Sequence, residues 1–285
     1  MKKPLFNKIC IVGVGLMGGS IGMAIKSRRL GCWVVGVVRR DENAKQAIRL
    51  NAVDAAMKSL KDGIRYADLV VLCTPISTII KQLKVLDALI LPKTLVIDVG
   101  SSKQAIEKVA SKYLKNGIFV GCHPMAGSSK RGVDCGDADP NLFVGKTCFI
   151  TTKNKKIKTF WTALGAIVND KLPAKQHDEW VAGPSYAKHI SDCALVRSKN
   201  MQRLLRFSLV ADNPAFLDAA RLSKCDPDLW ADILLSNNFS LKHIQGLEKS
   251  VSDFRKALSS KNRKKIAALI RESNNISNKL APNES

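Results

Sequence analysis

Ile9-Cys-Ile-Val-Gly-Val-Gly-Leu-Met-Gly18 is a short apolar run that opens into the spacing Gly-x-Gly-x-x-Gly. Gly13 permits a tight turn, Gly15 lets backbone approach a pyrophosphate, and Gly18 permits close helix–strand packing, with Leu16 and Met17 in the turn between them. The helix predicted to start there offers oriented N–H groups and a partial positive charge to phosphates. A glycine triplet alone says little. Here a strand enters it, a helix leaves it, and a second strand, Trp33–Val38, follows at the right distance, so the stretch reads as a dinucleotide-binding βαβ unit.

Working outward, short β-rich runs alternate with stretches of helical spacing over about the first 150 residues. The predicted strands are Ile9–Val12, Trp33–Val38, Leu69–Leu72, Leu95–Asp98, Ile118–Gly121 and Thr147–Ile150. Between them Gly19–Arg28, Glu42–Leu50, Ile76–Leu86 and Lys103–Tyr113 repeat apolar residues every three or four positions. Phe160–Val168 reads as one more helix leading to a short edge strand, and from His177 onward only helical texture remains. Helices are expected near Asp178–Arg197, Met201–Ala211, Pro227–Ser236, Leu241–Ala257 and Lys264–Ile276, with Asp226-Pro227 as a capped start. The expected architecture is an α/β Rossmann-type dinucleotide-binding domain, residues 1–152, followed by an all-α domain, residues 153–285, which binds substrate and completes its core by forming a homodimer.

Composition fits that plan. Of 285 residues, 46% are hydrophobic and 25% charged, so the chain can bury a core without disulfide staples. Its eight cysteines show no Cys-x-x-Cys spacing, and several sit inside apolar runs, which argues for reduced thiols in a cytoplasmic protein and against a metal site. Lys2 and Lys3 before an apolar stretch imitate an export signal, but the glycines of that stretch are better explained by the phosphate turn. No run is apolar and glycine-free enough to span a membrane. The net charge of +22 would draw anions; runs such as Lys153–Lys158 lack interleaved aromatics, so they read as solvated helix faces, with no nucleic-acid partner expected.

The end of the second strand bears on the cofactor. A carboxylate there usually holds the ribose 2′-hydroxyl of NAD, whereas this chain reads Val37-Val38-Arg39-Arg40. Arg39 and Arg40 suit a 2′-phosphate, so NADP is expected ahead of NAD, with Asp41 keeping NAD open. Thr74 and Pro75 end a later strand, where the nicotinamide ribose would pass.

Two further segments belong at the same edge: Asp98-Val-Gly-Ser-Ser-Lys103, bringing Ser101, and Gly121-Cys-His-Pro-Met-Ala-Gly127, bringing His123, a side chain suited to accept a hydroxyl proton near neutral pH. These two segments, with Asn141-Leu-Phe-Val-Gly145, His177-Asp178 and the Arg-bearing Ala220–Ile233 that contains Asp226-Pro-Asp-Leu-Trp-Ala-Asp-Ile233, resemble the prephenate/arogenate dehydrogenases of tyrosine synthesis in order over roughly residues 7 to 258. The resemblance implies oxidation of a cyclohexadiene carboxylate with loss of carbon dioxide. It implies His123 as the base, Ser101 as the group that orients it or the hydroxyl, Arg221 on a substrate carboxylate, and His189 near the substrate. It also implies a minimal form with no mutase or regulatory domain. Two positions depart from the family pattern. Ser185-Tyr-Ala-Lys-His189 stands where Ser-His-x-Pro-His is usual, and Ser129 stands where an acid is common. Both departures bear on side-chain specificity, with Lys188 a further carboxylate contact or a solvated cation. The rival readings are a β-hydroxyacid-dehydrogenase-like oxidoreductase, which would need a Lys-x-x-Asn helix after residue 150, and a non-catalytic NADP-binding paralogue.

Overall fold

A computed structural model describes residues 4–127, 135–204 and 213–280. Six parallel strands form the main sheet: β1 (Lys8–Val12), β2 (Trp33–Val37), β3 (Ala55–Met57), β4 (Leu69–Leu72), β5 (Leu95–Asp98) and β6 (Ile118–Val120). Their order is β3-β2-β1-β4-β5-β6, so the direction of winding reverses between β1 and β4, the place where such sheets bind ligands. Helices α1 (Leu16–Ser27), α2 (Asp41–Arg49), α3 (Leu60–Ile64), α4 (Ile76–Leu86) and α5 (Gln104–Tyr113) connect the strands. Strands β4 and β5 are buried throughout, which explains their unbroken Leu/Val/Ile runs in place of an alternating pattern.

The glycine turn behaves as its spacing requires. Gly13 sits at φ +93°, a left-handed conformation, and its N–H donates to the Val37 carbonyl at 3.0 Å, tying the turn to the end of β2. A Cβ on Gly18 would lie 2.1 Å from the Gly13 carbonyl oxygen, so α1 packs on the turn only with glycine there.

A second sheet stands beside the first. Strand β7 (Cys122–Pro124) pairs antiparallel with β8 (Thr147–Ile150), and β8 pairs parallel with β9 (Ile167–Asn169), after α6 (Lys155–Ala163). Thr147–Ile150 therefore belongs to this smaller sheet, and His123 lies within a strand rather than after one, opposite Phe149. The helical part begins with one long helix: α7 (Ala174–Val181), a π-helical stretch Ala182–Ala187, and α8 (Lys188–Arg197). The π-helical stretch contains Pro184, which has no N–H to give to a regular α-helical ladder. Then come α9 (Lys199–Leu204), α10 (Pro214–Ser223) and α11 (Pro227–Ser236). The expected helix Met201–Ala211 is described only to residue 204, and its remainder, like Ser129, lies outside the described residues. Helix α10 was not anticipated, although Asn213 caps it by accepting from Phe216 N at 3.0 Å and Pro214 occupies its first turn. Asp226 caps α11 as read from the sequence, accepting from Leu229 N at 2.9 Å.

The chain divides into compact units at Asn238/Phe239. The second unit holds α12 (Ser240–Ser259) and α13 (Arg263–Leu280) and exposes Leu241, Val251, Leu258, Ile270 and Ile276. Among the described residues, no helix is long and apolar enough to cross a membrane.

Candidate active site

A cavity of ≈ 790 Å³ lies within the first unit, at the C-terminal edge of the main sheet. Its walls include Gly15, Leu16 and Met17 of the glycine turn, Thr74 and Pro75 after β4, and Ser101 and His123. The last turn of α10 contributes Arg221, its C-cap residue Lys224 follows, and α11 contributes Trp230. The fold thus brings together residues spread from position 15 to position 221.

His123 is the most constrained of them. Its side chain is buried, and its Nδ1 meets His177 Nε2 at 2.9 Å. His177 Nδ1 in turn meets Asp178 Oδ1 at 2.9 Å, with both side chains fully buried. The Asp178 carboxylate also accepts from Lys103 N at 2.7 Å, Gln104 N at 2.9 Å and Ser102 Oγ at 3.2 Å, capping α5. A carboxylate that receives only donors fixes the direction of the chain. Asp178 accepts from His177 Nδ1–H, His177 Nε2 accepts from His123 Nδ1–H, and the basic lone pair of His123 is left on Nε2. Burial, then the neighbouring His177 and Lys103, hold the His123 pKa well below its usual 6.5. The ring is therefore neutral near pH 7.

A buried ion pair fixes the strand that carries it. Lys103 Nζ bonds the Asp98 carboxylate and donates to the Cys122 carbonyl at 2.7 Å, while Asp98 also accepts from Gly100 N and Cys122 N. The pair joins β5 to the start of β7, one residue from His123. Removing one partner of such a pair costs about 3–5 kcal/mol by stranding a buried charge. The Tyr186 phenol, at the end of the π-helical stretch, donates to the Ser101 carbonyl at 2.5 Å and so holds the neighbouring turn.

The other predicted residues lie as follows. Arg221 reaches the cavity wall but pairs with Asp218 at 2.6 Å, both half-exposed; the nearby Asp226 and Asp232 are engaged elsewhere, Asp226 on α11 and Asp232 on Ser77 Oγ at 2.5 Å. His189 stands behind Trp230 rather than in the cavity wall, its ring stacked on the indole at 3.5 Å and 10°. Lys188 pairs with Asp192, one turn on, through both carboxylate oxygens at 2.7 Å. Arg39 and Arg40 are exposed at the end of β2, outside the cavity, and Arg40 is the N-cap residue of α2. Asp41, the carboxylate that follows them directly, faces Lys58 at 2.8 Å.

The residues present fit a dinucleotide. Helix α1 starts at Gly15 with no side-chain cap, so its first amides are available to a pyrophosphate, and the glycine turn leaves no Cβ in the way. Fold and site together define a dinucleotide-binding protein with a buried, neutral histidine in the same cavity. Two family models match: "Prephenate dehydrogenase, nucleotide-binding domain" over residues 21–170 and "Prephenate dehydrogenase, dimerization domain" over residues 173–272. The prephenate dehydrogenase of Bacillus subtilis is 32% identical over 243 residues, 81% of this chain and 64% of that protein, so the match spans less than two thirds of this relative. The structure of Aquifex aeolicus prephenate dehydrogenase with hydroxyphenyl propionate and NAD+ superposes with a TM-score of 0.81 at 26% identity, covering 96% of this chain and 98% of the other. Synechocystis arogenate dehydrogenase gives 0.75 at 26%, covering 96% and 100%. The chain belongs to the prephenate dehydrogenase family.

Proposed function

We propose that this chain oxidatively decarboxylates prephenate, or its amino analogue arogenate, on the route to tyrosine, with NADP as the preferred cofactor. The observation that carries the reading is a neutral, buried imidazole sharing one cavity with a guanidinium and the phosphate-binding turn. Both acids carry a ring hydroxyl at one end of a cyclohexadiene and a carboxylate on the ring carbon at the other. His123 Nε2 takes the hydroxyl proton as the carbinol carbon loses its hydride. Ser101 orients the hydroxyl, and Arg221 holds the ring carboxylate until it departs as carbon dioxide and the ring becomes aromatic. The bound dinucleotide supplies the hydride acceptor. Gly13, Gly15, Leu16, Met17 and Gly18 form its phosphate turn, and Thr74 and Pro75 border its ribose. His189 acts at second hand, by bracing Trp230.

The NADP preference rests on Arg39 and Arg40, and on Asp41 being turned to Lys58. Residues 1–152 serve the cofactor and residues 153–285 the substrate and a homodimer contact, the latter supported by the dimerization-domain match and by the exposed apolar side chains of α12 and α13. Free thiols among the described cysteines suit a cytoplasmic setting. The test is absorbance at the reduced-nicotinamide band with each acid and each cofactor, alongside carbon dioxide release. The expected result is equal amounts of both products, faster with NADP. Tight cofactor binding with no turnover of either acid would instead make the chain a non-catalytic paralogue.

A further inference from the structure

Among the described residues, the charged side chains that line the cavity are Arg221, Lys224 and Asp226. Arg221 sits in the last turn of α10 and Lys224 is the C-cap residue that ends it, and both line the cavity. Arg221 is already partnered by Asp218 at 2.6 Å. Asp226 is committed to the N-terminus of α11, where the helix's partial positive charge offsets it. The Lys224 ammonium forms no ion pair among the described residues, so the surplus charge of this wall is its own.

The two candidate acids differ where that surplus matters. In both, the ring carboxylate and the side chain branch from one ring carbon, so the second carboxylate lies beside the first. Prephenate carries a keto group next to it and has two negative charges. Arogenate carries an ammonium there and has a net charge of one. We infer that Lys224 receives the side-chain carboxylate beside Arg221 and thereby selects the keto acid, because the ammonium of the amino acid would meet a cation of its own sign. This inference rests on the proposed function and narrows its substrate.

The test compares kcat/KM for prephenate and arogenate in the full chain, Lys224→Gln and Lys224→Glu, at saturating NADP and low salt, with melting temperature as a folding control. The unaltered protein prefers prephenate. Lys224→Gln lowers prephenate kcat/KM roughly fivefold, through KM, as expected for one solvent-exposed charge pair, and leaves arogenate within about twofold. Lys224→Glu moves selectivity further toward arogenate. An unaltered protein that prefers arogenate, or a Gln variant that slows both acids equally or neither, overturns the inference while leaving the proposed function standing. Turnover of neither acid by the unaltered protein overturns both.

Discussion

Two walls of one cavity are built on opposite principles. The His123 wall is dry: His177 and Asp178 are fully buried, and their polar atoms are joined by hydrogen bonds of 2.7–3.2 Å. The Arg221 wall is wet, with the side chains of Arg221 and Asp218 53% and 55% exposed. A proton acceptor needs a fixed tautomer and a neutral ground state; the hydrogen bonds through His177 to Asp178 provide the first and desolvation the second. A carboxylate holder needs charge and reach, which survive in water at reduced strength. Loss of a group should therefore cost far more at the first wall than at the second.

The largest effect is expected at His123. His123→Asn keeps a hydrogen-bonding shape without the proton acceptor, and turnover should fall ~10²–10⁴-fold with cofactor affinity unchanged by calorimetry. A variant that keeps most of its turnover would move the base elsewhere. His177→Phe comes next. It leaves the His123 Nδ1 proton without an acceptor and frees the tautomer, a penalty of about 1–3 kcal/mol, so kcat should drop roughly 10- to 100-fold. Equal losses in kcat and cofactor affinity would make His177 merely structural. At the wet wall, Arg221→Gln should raise the Michaelis constant about tenfold and barely move the melting temperature, because Asp218 stays solvated. A fall in stability with a normal Michaelis constant would reduce Arg221 to a helix ion pair. Smallest is replacement of Arg39 and Arg40 by serine, which should weaken NADP about fivefold and leave NAD unchanged. Equal binding of the two cofactors by the unaltered protein would contradict the reading of that strand end.

Legibility in sequence followed the same division. The glycine turn, His123, Ser101 and Arg221 could be found because each carries a local signal: a spacing, a strand end, or a motif. His177-Asp178 stands out in the sequence as a segment but not as part of the site, since its place there depends on His123 lying 54 residues away in sequence and 2.9 Å away in space. Lys103 and Asp98 left a weak clue, a carboxylate ending a strand buried at every position. Tyr186 registered only as a departure from a pattern, because a π-helical turn cannot be told from an α-helical one by periodicity. Strands β3 and β7 escaped as three-residue pieces, and β7 contains proline.

The dry wall has one further consequence for pH. Because the folded pKa of His123 is depressed, the stability linked to its neutral form is complete above about 6.5 and declines as pH falls through that range toward the folded value. Under the proposed mechanism, activity should follow the same group. The most direct test of a buried, neutral His123 as the base is the pH profile of kcat/KM for prephenate at saturating NADP. The acid limb should fall below the ordinary histidine range, with turnover holding as pH drops through 6.5. A limb at or above 6.5, shifted by neither His123→Asn nor His177→Phe, would contradict the account.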